Sequence, residues 1–153
     1  MGNIVANVGA ISGDQLRQDV INQRLPLAFF STSTAVTPLA WVTENKKLLE
    51  DGLAKYGAVL LRGYKKYDVQ ELEDFIEKTS GDLLAYRNRS TPRSLISGKI
   101  YTSTEYPADQ IIHQHNESCY THEWPTRLFF CCITAATRGG ETPISDSRKV
   151  LKR

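Results

Sequence analysis

An α+β fold is what this chain predicts, and three observations predict it. Two helical patterns come early, strand-like runs crowd into the second half, and the two kinds of segment do not alternate as repeated βαβ units would. The 153 residues are 41% hydrophobic and 24% charged, the make-up of one ordinary globular domain with a sizeable core.

The first segments precede Pro38, and the polar run Ser31-Thr32-Ser33-Thr34 predicts a loop among them. Beyond Pro38, Val42, Leu49, Leu53 and Tyr56 recur at spacings of seven, four and three, with Gly57 placed as a stop. That pattern predicts a helix over 39–56. Ala58-Val59-Leu60-Leu61 then suits a short buried strand ending at Arg62-Gly63. Asp68, with Glu71 three residues on, is a capping box for a second helix whose apolar face is Val69, Leu72, Phe75 and Ile76, and Gly81 ends it. After Gly98 the pattern turns to β: 99–103, 111–115 and 127–136 are strand-like, with turns at Pro107, Pro125 and Arg138-Gly139-Gly140. Strands flanked by helices in this order fit an α+β arrangement or a helix-decorated jelly roll.

Nineteen basic residues against seventeen acidic ones leave no strong field to attract nucleic acid or an anionic membrane. A small molecule or a protein is the better default substrate. No run approaches the roughly 20 apolar residues of a membrane span. The start Met1-Gly2-Asn3-Ile4-Val5-Ala6 lacks both a signal peptide's basic, apolar pattern and the Ser or Thr of a myristoylation site. Cys119, Cys131 and Cys132 are odd in number and lack C-x-x-C spacing, which argues for a reducing, cytoplasmic setting.

The chemistry is concentrated in Ile111-Ile112-His113-Gln114-His115-Asn116-Glu117. Two residues apart on an extended strand, His115 and Glu117 face one side. An imidazole and a carboxylate presented together are most of a 2-His-1-carboxylate face, which leaves positions on iron open. The same spacing also arises when two solvated polar residues share a strand face. His113 lies on that face too, and His113, His115, Cys119 and His122 form an H-x-H-x3-C-x2-H set that keeps a zinc-binding module open, although it matches no ribbon or finger spacing. In Arg138-Gly139-Gly140-Glu141-Thr142, paired glycines permit a tight turn that delivers the Thr142 hydroxyl at a strand start; a plain hairpin would look the same. Asp146 is placed to cap a helix begun by the basic tail.

Several stretches act together: Gly57-Ala58-Val59-Leu60-Leu61-Arg62-Gly63, Arg89-Ser90-Thr91-Pro92-Arg93 and Tyr101-Thr102-Ser103-Thr104-Glu105-Tyr106-Pro107. Others are His115-Asn116-Glu117, Trp124-Pro125 and Gly139-Gly140-Glu141-Thr142-Pro143-Ile144-Ser145-Asp146-Ser147-Arg148. In combination they resemble the TauD/TfdA group of Fe(II)/2-oxoglutarate dioxygenases, and within it the SyrP-like members from peptide-antibiotic and related biosynthesis. The resemblance implies an incomplete double-stranded β-helix (jelly roll) with flanking helices. The whole of 1–153 would belong to one such domain, 1–37 being an extension with first segments and 38–153 the family-like region.

The same resemblance implies Fe(II), with 2-oxoglutarate as cosubstrate and O2 as oxidant. His115 and Glu117 become the first two iron ligands and Thr142 a donor to the distal carboxylate of 2-oxoglutarate. Arg93, Thr104 and Glu105 fall on the substrate side, and Arg62-Gly63 looks structural. The substrate it implies is an amino acid, free or tethered to a carrier protein as an aminoacyl group, with hydroxylation as the reaction. In the family a second histidine ligand and an arginine for 2-oxoglutarate lie far downstream of the G-G-x-T motif, whereas this chain stops at Arg153. An N-terminal fragment, inactive alone, is therefore expected; a non-catalytic remnant or partner subunit is the alternative.

Overall fold

Leu27-Ala28-Phe29-Phe30 has no polar residue to turn toward water, which suits a strand covered on both faces. In the computed structural model, which describes residues 17–20, 25–65, 68–84, 92–103, 105–107 and 109–153, this run is β2 (Leu27–Phe30). Its first three side chains are almost wholly buried. It pairs antiparallel with β1 (Arg17–Val20) and parallel with β3 (Val59–Arg62). The described residues divide between Tyr67 and Asp68 into two compact units, and this sheet belongs to the first.

Between β2 and β3 runs α1 (Pro38–Tyr56). Thr37 caps it by accepting from the Ala40 amide at 3.0 Å, and Pro38 occupies the first turn, where its missing N–H costs nothing. Gly57 closes it at φ 80°, its N–H donating to the Leu53 carbonyl at 2.8 Å. Helix, stop and following strand agree with the sequence pattern to within a residue. At Gly52 a Cβ would lie 2.9 Å from Leu27 Cδ2, so the helix meets the sheet closely there. Trp41, Val42 and Leu49 complete this core, with the Trp41 ring 4.9 Å from that of Phe29.

One connection differs from the expected order of helices before strands: β2–α1–β3 is a βαβ crossover. A four-residue apolar run has no period of its own, so β2 could not be told from a helical or loop segment by pattern alone.

In the second unit, α2 (Val69–Ser80) begins with the expected capping box. Asp68 accepts from the Glu71 amide at 2.8 Å, and the Glu71 carboxylate accepts from the Asp68 amide at 3.1 Å. Phe75, Ile76 and Thr79 are its buried residues, and the Phe75 ring meets Phe129 edge-on at 6.2 Å. The hairpin β4 (Leu95–Ser97) and β5 (Ile100–Tyr101) turns at Gly98, whose φ is 48°. Asp146 caps α3 (Ser147–Leu151), as expected of the basic tail.

The remaining expectations of strand are not met: 111–115 and 127–136 form no ladder. A strand exists by pairing its amides and carbonyls with a neighbour, and among the described residues neither segment has one. The side chains still alternate, with Phe129 and Cys131 partly covered and Leu128, Phe130 and Cys132 exposed. Helices and small sheets thus make an α+β piece. Among the described residues no helix is long and apolar enough to cross a membrane.

Candidate metal centre

His115 and Glu117 lie two residues apart in the second unit, outside any helix or ladder, with Glu117 opening a turn. His115 Nε2 stands 3.9 Å from Glu117 Oε2. The other ring nitrogen, Nδ1, lies 2.8 Å from the His113 backbone carbonyl. With Nδ1–H donating to that carbonyl, Nε2 keeps its lone pair and faces the carboxylate, the arrangement that orients a metal-binding imidazole. Two donors about 2.1 Å from one ion stand about 3 Å apart when they occupy adjacent octahedral positions. The donor types therefore fit a divalent ion, and the two side chains have to close by about 1 Å to share one.

Among the described residues no third histidine, cysteine, aspartate or glutamate joins this pair in a group of three. His113, Cys119 and His122 are thus not gathered with His115 into a zinc cluster. His113 contributes its backbone carbonyl instead.

The two oxygens of Glu117 have different neighbours. Oε1 lies 3.5 Å from Nη2 of Arg93, and both side chains are largely withdrawn from water, at 22% exposure for Arg93 and 17% for Glu117. His115, at 56%, remains open. Glu117 and Arg93 also line a cleft of 600 Å³ within the second unit, together with Lys99, Tyr101, Phe129 and Cys131. Its lining mixes charged and apolar side chains, as small-ligand sites do. Beyond Glu117 the chain leaves the site through Ser118, which adopts φ 54°.

Gln114 and Asn116, interleaved with His115 and Glu117, both reach one neighbouring segment. Ser145 Oγ donates to Gln114 Oε1 at 2.6 Å and Ser147 Oγ to Asn116 Oδ1 at 3.3 Å. Steps of two on both segments run in the same direction, so the stretch entering α3 lies parallel to the metal stretch. Thr142 is exposed three residues before the first of these bridges. Its approach is shaped by Gly139 and Gly140 at φ 69° and 79°, the positive values expected of that pair. The bridging residues had not been singled out in the sequence. Their signal was available in the polar residues interleaved with His115 and Glu117.

Of the substrate-side candidates, Thr104 lies outside the described residues, as do Arg87 and Arg89 of the neighbouring basic run. Glu105 is occupied within its own loop. Its Oε1 accepts from the Thr102 hydroxyl at 2.9 Å, and its amide donates to the Pro92 carbonyl at 3.0 Å. Hydrogen bonds from Ser94 and Thr102 hold its carboxyl below the ordinary value of 4.5. Of the two described candidates, Arg93 is the one brought to the metal pair.

A model of the taurine catabolism dioxygenase TauD, TfdA family matches residues 23–153, a span that takes in β2 and all that follows. The chain is 36% identical over 103 residues to the dapdiamide synthesis protein DdaC of Enterobacter agglomerans, an alignment covering 67% of this chain and 31% of that protein. It is also 36% identical over 112 residues to a clavaminate synthase-like protein of Arabidopsis thaliana, covering 73% of this chain and 34% of that one. The chain thus spans about a third of the length of these curated relatives.

Proposed function

The chain belongs to the taurine catabolism dioxygenase TauD, TfdA family, and on that premise we propose that it carries two of the three protein ligands of the metal face of an Fe(II)/2-oxoglutarate-dependent hydroxylase. The observation that supports this most is the pairing of His115 Nε2 with Glu117 Oε2 at 3.9 Å, the imidazole being steered by the His113 carbonyl. Iron, 2-oxoglutarate and O2 together supply the oxidising chemistry, in which the oxo acid is decarboxylated to succinate and a substrate C–H bond becomes C–OH.

Part of the remaining work falls to residues of this chain. His115 and Glu117 hold the metal, leaving its other positions open. Thr142 donates its hydroxyl to the distal carboxylate of 2-oxoglutarate, and the Ser145 and Ser147 bridges keep its segment beside the metal stretch. The cleft beside Glu117 receives the substrate and orients one C–H bond. Likeness to a dapdiamide synthesis protein supports an amino acid or a carrier-tethered aminoacyl group as that substrate, in the manner of the SyrP-like members.

Anaerobic titration of the purified chain with Fe(II) and 2-oxoglutarate tests this reading. A visible absorption that needs both components and disappears in His115→Ala is expected. Undiminished absorption in that variant would refute it.

A further inference from the structure

We propose that Arg93 is a positioning residue for the metal carboxylate: it retains Oε1 of Glu117 so that Oε2, the oxygen beside His115, is the one offered to the ion. The inference rests on the reading of His115 and Glu117 as metal ligands and gives one carboxylate two separate duties.

The geometry divides the carboxylate cleanly. Arg93 Nη2 approaches Oε1 at 3.5 Å, whereas His115 Nε2 approaches Oε2 at 3.9 Å. A guanidinium is never deprotonated in this setting and offers donors only, so it cannot compete for the metal as a ligand. What it does is fix the carboxylate rotamer and occupy one oxygen, which favours attachment through the other. Both charged side chains are about four-fifths withdrawn from water, where solvent and salt weaken their attraction less than at an open surface.

The backbone that carries Arg93 is held on both sides. The Pro92 carbonyl accepts from the Glu105 amide at 3.0 Å, and the Ser94 carbonyl accepts from the Thr102 amide at 2.9 Å. The Ser94 amide in turn donates to the Thr102 hydroxyl at 2.8 Å, and that hydroxyl donates to Glu105 Oε1 at 2.9 Å. Thr102 and Glu105 therefore form a bracket around residue 93. Their motif serves the metal pair through Arg93. Groups that orient a metal ligand in this way set metal affinity by about 10- to 100-fold.

Mn(II) binding to the purified chain, followed by the loss of the free-ion paramagnetic resonance signal, tests the proposal without turnover. R93Q should weaken Mn(II) by about 10- to 100-fold, and R93K, which keeps the charge but not the planar fork, should recover part of the loss. T102V, which disturbs the bracket and neither ligand, should weaken binding in the same direction by less. It carries the test if R93Q loses its helical circular dichroism. Unchanged or tighter Mn(II) binding in folded R93Q, or in T102V where R93Q does not fold, would overturn the positioning role. Equal binding by wild type and H115A would instead overturn the metal reading beneath it, and the positioning role with it.

Discussion

Gly63→Ala, set against Gly81→Ala, separates the cost of backbone conformation from that of contact. The two glycines have nearly equal φ, 82° and 74°. A Cβ added at Gly81 meets nothing within 4 Å, whereas one added at Gly63 runs into the Ser31 backbone carbonyl. Holding an L residue at such a φ costs about 1–3 kcal/mol, and Gly81, at ψ −145°, lies where almost only glycine is found. Alanine returns about 0.4–1 kcal/mol by restricting the unfolded chain. Gly81→Ala should therefore destabilise by about 1–2 kcal/mol. At Gly63 the added carbon presses on backbone that cannot rotate away, because the Ser31 amide is tied to the Arg62 carbonyl at 2.9 Å. Overpacking of this kind costs a further 1–3 kcal/mol or so, for a total of about 2–5 kcal/mol. Urea denaturation, each variant against wild type, reads this out: with a slope of about 1–3 kcal/mol per molar, the midpoint should fall further for Gly63→Ala. Equal shifts would refute the contact argument and leave φ alone responsible.

Four further outcomes are expected. Asp68→Ala, which removes one half of the capping box, should destabilise α2 by about 1 kcal/mol in urea unfolding, and Glu71→Ala by less. Succinate release by the 153-residue chain with Fe(II) and 2-oxoglutarate should stay far below the roughly 1–1,000 per second of ordinary enzymes, since only two protein donors meet among the described residues. Iodoacetamide at pH 7.5 should label exposed Cys119 and Cys132 before Cys131, whose thiol burial pushes up, with neighbouring Cys132 adding to the effect; peptide mass spectrometry reports the order. Glu105 titrates lower folded than unfolded, so its contribution is present above its ordinary value of 4.5 and is lost as pH falls through the folded value. Hydrogen exchange at the Thr102 amide should accordingly differ between wild type and Glu105→Gln near pH 6 and converge in acid.

Legibility followed the range of each interaction. Helices α1 and α2 were readable because their signals are local: the Asp68 cap, the Gly57 and Gly81 stops, and the apolar period of each helix are written within about twenty residues. β2 was not, because its identity comes from pairing with β3 across the whole of α1. The segments 111–115 and 127–136 show the converse. Their alternation is strand-like, yet alternation describes which faces a strand would bury and supplies no partner for its backbone. Ile111 at 79% exposure and Phe130 at 72% mark where apolar pattern and covering neighbour do not coincide among the described residues.

The metal stretch explains why a site can be legible while its sheet is not. Bringing His115 and Glu117 together needs only two residues of local chain, and their side chains meet at 3.9 Å without a ladder. Orienting them needs more, and each further constraint is local to a short loop: the His113 carbonyl acts from two residues away, and the Thr102–Glu105 bracket acts across the β4–β5 hairpin. Arg93 could not be assigned from spacing, since it lies twenty-four positions before Glu117. What distinguishes it is the partner it reaches. In a folded chain a guanidinium beside a carboxylate neutralises it, and beside a carboxylate that also faces an imidazole nitrogen it decides which oxygen is left to bind.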